Sequence, residues 1–408
     1  MKFITEKNEI VDSLQMGASI AERRQTIPIL ANLKIVARGK KIEITATDLE
    51  IQIKTISEVK EVLEEGETTV SARKMSELCR TLPDKEELEF SLNNGQLTVS
   101  SKNFHADFAT TSAFDFPELE FLEEKSSLAI DARKLQRLLN KTIFCMASVD
   151  VRYYLNGLLV EYLDGEVNIV ATDGHRMAVA KHPSKEAQGE ECQICDGTGK
   201  VKEEIENIEQ TEPKEEIILE DCRVCNGRGI RGKRHIIPRK AAIALEKILR
   251  DSNTEINLNF GASSLRIEDK NLDFATKLIV GKYPNYEASL PIDKPSKLEV
   301  SKENLQSALS RVSVLSNETH KGVRIQLEKN SLKLNTSNKS RESAEEFLDA
   351  NYLGEPIEIS FNIAYLQDVL GAIETETVEI SLYGEGKSTL IREPGNKTEA
   401  YVLAPMRL

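Results

Sequence analysis

The 408-residue chain has no tryptophan, and aromatic residues make up only 5% of it. No apolar run approaches the ~20 residues that a membrane-spanning helix needs. The opening, MKFITEKNEIVDSLQ, lacks the apolar core of a secretory signal, so a cytoplasmic protein is the expectation. No nucleophile with a partnered base, phosphate-cradling loop or catalytic metal pattern is present, which argues against an enzyme. Basic excess is missing too. Against 54 basic side chains stand 67 acidic ones, for a formal charge of −13. As an average, that disfavours nucleic acid as a partner, because phosphate binding draws on surplus Lys and Arg.

Cysteines are few, and their placement is uneven. Cys79 and Cys145 stand alone in helix-like apolar patterns and read as small buried residues. A secreted disulfide framework is not expected in so long a chain. The other four form two motifs of the form Cys-x-x-Cys-x-Gly-x-Gly: CQICDGTGK, with Cys192 and Cys195, and CRVCNGRGI, with Cys222 and Cys225. Two residues between cysteines let both thiolates grip one ion, and the glycines permit the turn that aims amides at sulfur. Four thiolates make the closed tetrahedral set of one structural zinc. An iron–sulfur cluster, a redox dithiol pair and unliganded cysteines are the alternatives. The pattern resembles the zinc modules of J-domain chaperones and zinc ribbons. His182 and His235 flank this segment and are further candidates to reach a metal. Residues 184–232 hold 7 basic and 13 acidic side chains, which disfavours DNA binding by the segment as a whole. Arg223, Arg228 and Arg231 still offer a local basic edge. The acidic spacer between the motifs reads as a hairpin or loop. So short a segment, poor in apolar side chains, needs metal to fold, and docking of a partner protein is the sharper hypothesis for it.

What is abundant is repetition. MKFITEKNEIVDSLQMGASI, LAIDARKLQRLLNKTIFCM and LEVSKENLQSALSRVSVL share one pattern: a short alternating strand, a polar turn, then apolar residues at helical spacing. In the second copy Leu135, Leu138, Leu139 and Ile143 fall on one face, with Arg133, Lys134, Arg137 and Lys141 opposite. Asp131 and Ser301 stand at N-cap positions. Each opening leads into alternating strands broken by turns at Arg38–Lys40, Asp164-Gly165 and Lys329-Asn330, then a second helix, then three more strands. The order indicates an α+β protein of three repeated domains, 1–125, 126–295 and 296–408, each with two helices packed on antiparallel sheets. The middle copy is longer by about forty residues, the cysteine-bearing insert at about 186–232.

Charge is divided between these elements. The six helical segments (6–24, 71–82, 131–146, 238–252, 301–315 and 361–373) sum to +6, which leaves −19 for the rest of a chain at −13. The average therefore does not exclude DNA. It excludes only tight binding by charge alone.

Four motifs make the resemblance specific: TIPILANLKI with TATDLEI, DVRYYLNGLL from Asp150, ATDGHRMA from Ala171, and the terminal YVLAPMRL. With the threefold repeat, these resemble the bacterial DNA sliding clamp family, the beta subunits of DNA polymerase III, over the whole chain except the insert. The resemblance implies a head-to-tail homodimer, six domains in a closed ring whose helices line a hole for duplex DNA. It implies a processivity factor that tethers polymerase, clamp loader and repair proteins and performs no chemistry. The alternative is a zinc-dependent interaction or chaperone-like module on a clamp scaffold.

For DNA the resemblance singles out Arg24, Arg73, Tyr153, Tyr154, Arg239 and Lys240, residue types suited to phosphate contact and stacking. For the groove that takes partner peptides it points to Leu155, Thr172, Gly174, His175, Arg176 and Met177 of the middle domain. Pro284 and Ser388 contribute, and Val402, Leu403, Pro405, Met406 and Arg407 come from the terminal strand. Ala288, Ser289 and Ala404 stand where larger residues are common, which implies a wider or shallower pocket. An ordinary last core strand would explain part of the terminal set equally well. Asp173 and His175 resemble an acid–base pair, but an Asp-Gly turn explains them without catalysis. At the dimer interface the resemblance points to Val314 and Leu315, facing a region where Ala106 lies between Phe104 and Phe108.

Overall fold

The computed structural model describes residues 1–21, 27–119, 125–203, 218–222, 225, 227–250, 252–317 and 321–406. Arg24, Arg223, His320 and Arg407 lie outside the described residues. Among the described residues there are six α-helices: α1 Lys7–Ile20, α2 Ala72–Thr81, α3 Ala132–Asn140, α4 Arg239–Ile248, α5 Lys302–Ser313 and α6 Ile363–Ala372. Each falls inside a segment expected from periodicity. The third stops early, because the chain turns at Lys141–Thr142 into a short 3₁₀ turn, Ile143–Cys145. Caps act where expected: the Asp131 carboxylate accepts from Lys134 N (3.1 Å) and the Ser301 hydroxyl from Asn304 N (3.4 Å). On α3, Leu135, Leu138 and Leu139 are buried.

The chain forms two compact units, Met1–Gln136 with Lys240–Val280, and Arg137–Arg239 with Gly281–Leu408. In the first, one antiparallel sheet crosses from one repeat into the next. Leu272–Lys277 of the second repeat pairs with Ile51–Glu58 of the first, with Leu272 opposite Thr55 and Thr276 opposite Ile51. Helices α1 and α2 pack together, and α1 covers the strands Asn32–Arg38, Lys41–Thr47 and Ile51–Glu58.

The second unit repeats the device. Arg176–Pro183 of the second repeat pairs with Glu399–Leu403 of the third, inside a sheet that also holds Gly157–Leu163, Glu166–Thr172 and Thr377–Leu382. A second sheet of this unit runs Ser343–Asp349, Ser331–Ser337, Gly322–Glu328, Ile357–Asn362, with α5 and α6 packed together beside it. The turn at Asp164-Gly165 has φ of +52° and +77°, the two positive values that a tight two-residue hairpin demands.

Candidate functional site

Part of the set expected at the groove is brought together by one turn and one strand pairing. Between Glu166–Thr172 and Arg176–Pro183 the chain reverses over Asp173–His175. The Asp173 carboxylate accepts from His175 N (2.9 Å) and Arg176 N (3.0 Å), and the Thr172 hydroxyl accepts from Gly174 N (3.1 Å). Gly174 has φ +88°, and a Cβ there would lie 3.0 Å from the Arg152 guanidinium. Asp173 is thus consumed by its turn and by Arg176 Nε (3.1 Å). The motif is architectural.

The turn then meets the end of the chain. Arg176 stands opposite Leu403 and Met177 opposite Val402, Ala404 N donates to His175 O (2.8 Å), and Met406 N donates to Ser360 O (2.7 Å). Leu155, Met177, Val402 and Leu403 are buried. Thr172, Arg176, Ser388, Pro405 and Met406 are half-buried, while Gly174, His175, Pro284, Ala288 and Ser289 are exposed. Buried apolar side chains beside more exposed polar ones are the mixture that a short peptide with apolar anchors needs.

Residues that the sequence did not single out gather around Arg176. Tyr365 and Asp368, one turn apart on α6, face Arg176: its guanidinium carbon lies 4.3 Å from the Tyr365 ring centre, and its NH1 lies 2.5 Å from Asp368 Oδ2. Phe144 lies on the same guanidinium at 5.6 Å. Burial works against the charge on Arg176, but Asp368 and Asp173 raise its pKa further. The i, i+3 spacing of Tyr365 and Asp368 was the available signal.

The candidate DNA residues differ in what they already hold. Arg73 is exposed on the first turn of α2, with Nε 2.7 Å from Glu77 Oε1. Tyr153 is 57% exposed and meets Tyr154 edge-on at 5.9 Å between ring centres. Their loop is stapled at its base. Asp150 N donates to Asn156 Oδ1 (2.8 Å), Asn156 Nδ2 donates to Asp150 O (2.9 Å), and the Asp150 carboxylate accepts from Arg152. That pairing with Arg152 lowers the Asp150 pKa to about 2. By contrast, Arg239 NH1 donates to Met146 O (2.7 Å), and Lys240 donates to Ile20 O (2.8 Å) and pairs with Asp48.

The charge count overstates what the helices present outward. Arg137 and Lys141 were expected on a polar face, yet Lys141 is only 3% exposed. It donates to Ala372 O (2.5 Å) and lies within 3.0–3.5 Å of Glu374, Glu393 and Glu399. Arg137 pairs with Glu374 and Glu399. A buried cation needs such company, since desolvation otherwise costs several kcal/mol. Arg73, Lys74, Arg80, Arg133, Lys134, Lys247 and Arg250 do face solvent.

The cysteine insert is built as two interlocked knuckles. Cys192 N donates to Gly229 O (2.9 Å) and Cys222 N to Gly199 O (2.8 Å), a near-symmetric exchange. Gly199 N points at Cys195 Sγ and Gly229 N at Cys225 Sγ, both at 3.3 Å. A Cβ on Gly199 would run into the Gly227 carbonyl, and one on Gly229 into that of Gly197. All four cysteines are buried, with their sulfurs within 4.8 Å of one another. The pairs Cys192–Cys222 and Cys195–Cys225 stand 3.9 and 3.7 Å apart. Disulfides require about 2.05 Å, whereas tetrahedral thiolates at a Zn–S distance of about 2.3 Å stand about 3.8 Å apart. The set fits one tetrahedral metal ion. Desolvation pushes the Cys195 thiol up to about 11, and bound metal reverses that preference by deprotonating its ligands. His235 is placed elsewhere, stacked on Tyr162 at 5.9 Å.

Comparison with known proteins covers the whole chain. The DNA polymerase III beta subunit models match in order: N-terminal domain over residues 1–120, central domain over 129–220 and 228–285, and C-terminal domain over 288–407. The beta sliding clamp of Pseudomonas putida is 33% identical over 410 residues, and that of Escherichia coli 32% over 408, each alignment spanning 100% of both chains. Among solved structures, a DnaN sliding clamp from Pseudomonas aeruginosa bound to griselimycin superimposes with a TM-score of 0.84 at 33% identity, covering 100% of both chains. The Caulobacter crescentus pol III beta structure gives 0.81 at 27% identity, again over 100% of both. Three tandem α+β domains of this kind define a replication clamp. The chain belongs to the DNA polymerase III beta subunit family, and its function is that of a DNA polymerase processivity factor.

Proposed function

We propose that two copies join head to tail into a ring around duplex DNA, each contributing three domains divided near residues 125 and 295. The ring holds DNA by topology, so no base is read and no reaction is catalysed. Unpaired strand edges carry this reading. Among the described residues Ser343–Asp349 ends its sheet, pairing only with Ser331–Ser337, and Phe347 on it is 66% exposed. His105–Ala109 pairs, among the described residues, with Gln96–Ser100 alone, since only Thr110 and Thr111 reach the strand on its other side. Open strand edges are hazards that a partner strand removes. Val314, just after α5, is 79% exposed, which supports Val314 and Leu315 as apolar contacts of the same interface.

Exposed Arg73 and Tyr153 support DNA contact more strongly than Arg239 and Lys240, whose donors are engaged within the protein. Arg24 retains its assignment by resemblance. The groove around Arg176, Met177 and Met406, with Arg407 beyond it, takes short peptide segments of polymerase, clamp loader and repair proteins. In the insert, Cys192, Cys195, Cys222 and Cys225 hold one structural zinc, which supplies folding energy and no chemistry. Among the described residues no helix is long and apolar enough to cross a membrane, which agrees with work in the bacterial cytoplasm.

Retention on DNA tests the ring. Protein loaded on nicked circular plasmid should stay bound in high salt and be lost when the plasmid is linearised. Equal retention on both forms would overturn the topological mechanism.

A further inference from the structure

The insert does not hang free of the groove. Its second knuckle reaches the chain segment that carries Pro284, Ala288 and Ser289. Arg228 NH2 lies 2.6 Å from both carboxylate oxygens of Glu287, and each side chain is 33% exposed. A part-buried pair in which one nitrogen bridges both carboxylate oxygens is worth more than a fully solvated pair.

The place of Arg228 is set by the cysteine loop. Arg228 N donates to Cys225 O (3.1 Å) and Gly227 N to Cys222 O (3.1 Å), and Gly227 and Gly229 on either side both have φ +76°. The guanidinium is therefore presented by the same turn that presents the sulfurs. Unfolding of that turn removes it.

The far end is equally defined. Glu287 opens the short turn Glu287–Ser289, in which Ser289 N donates to Tyr286 O (3.0 Å) and Leu290 N to Glu287 O (3.1 Å). Tyr286 is buried, and its hydroxyl donates to Glu161 Oε2 at 2.6 Å. The other Glu161 oxygen accepts from Arg234 Nε at 2.6 Å, on the strand by which the chain leaves the insert. A Cβ on Gly232 would approach Glu161 Cγ to 3.1 Å. Segment 286–287 is thus held at two points, directly by Arg228 of the insert and through Glu161 by Arg234 of the sheet strand that follows it. Ala288 and Ser289 have little bulk, so the position of this wall is fixed by its main chain. Its anchor is Glu287.

We propose that the insert is a metal-dependent positioning element of the partner groove: metal on the four cysteines holds Arg228, Arg228 holds Glu287, and Glu287 sets the wall that a bound peptide meets. This rests on the assignment of Pro284, Ala288 and Ser289 to the groove. Arg228 acts through Glu287 and touches no ligand itself.

The test uses the full-length chain, zinc-loaded or chelated, with hydrogen exchange at the Ser289 and Leu290 amides as a ligand-free readout. Arg228→Ala should speed exchange there about threefold to tenfold, zinc removal should do the same, and zinc removal from the Arg228→Ala chain should add little. The double charge swap Arg228→Glu with Glu287→Arg should restore slow exchange. Affinity for labelled griselimycin should fall in parallel, about threefold to tenfold. Unchanged exchange at Ser289 and Leu290 in Arg228→Ala, or on zinc removal, would overturn the coupling. Loss of the groove reading looks different. Griselimycin that fails to bind, or binds equally well after deletion of Met406–Leu408, would count against the groove while the exchange result stands.

Discussion

Arg176 and Tyr365 join two repeats: a guanidinium from the middle repeat lies over a ring from α6 of the last, its carbon 4.3 Å from the ring centre. The arginine also ties Asp173 to Asp368. Three jobs fall on one planar cation, and a lysine cannot do all of them. Arg176→Ala leaves Asp173 and Asp368 without the cation they share, and should destabilise the second unit by about 1–3 kcal/mol in urea unfolding. Arg176→Lys should recover only part of that loss.

His235 makes stability depend on pH in a defined window. Burial, and then the charge of Lys233, lower its pKa from 6.5 to about 4. The unfolded chain therefore binds a proton near pH 6.5 that the folded chain refuses until about pH 4, so stability falls as pH drops through that range. The ring remains partly wetted, so the loss is about 1–2 kcal/mol. Urea midpoints measured from pH 7 to 4 should slope downward, and His235→Phe should flatten that part of the slope.

Gly199 tests the interlock of the knuckles. Alanine at this position meets the Gly227 carbonyl and is also strained at φ +74°. Gly199→Ala should lose most of its zinc in metal analysis while the far-ultraviolet circular dichroism of the body stays unchanged. A body that unfolded with it would show that the insert is no separate folding unit.

Much of this was legible beforehand, for physical reasons that differ by element. The helices betray themselves because a buried stripe must recur every three to four residues, as Leu135, Leu138 and Leu139 do. The cysteine centre is legible because two ligands on one turn fix their own spacing. Long-range electrostatics leaves no such trace. Lys141 reads as a polar-face lysine, and only the fold brings Glu374, Glu393 and Glu399 around it. Arg228 is a basic residue in an acidic insert until Glu287, 59 positions on, is placed against it. The pairing of Arg176–Ala180 with Glu399–Leu403, which joins the second repeat to the third, follows no local rule either.

One detail of the insert has a use of its own. The strands Glu190–Glu191 and Ile230–Arg231 lie side by side, so the chain leaves the sheet after Pro183 and re-enters it at Lys233 through a neck two strands wide. A unit mounted on such a neck enters or leaves a genome as a cassette, because the sheet below closes with or without it. The same neck is a ready socket for an engineer. A fluorescent or affinity domain whose ends lie close together can be exchanged for the knuckles, provided that a substitute contact is built for Glu287.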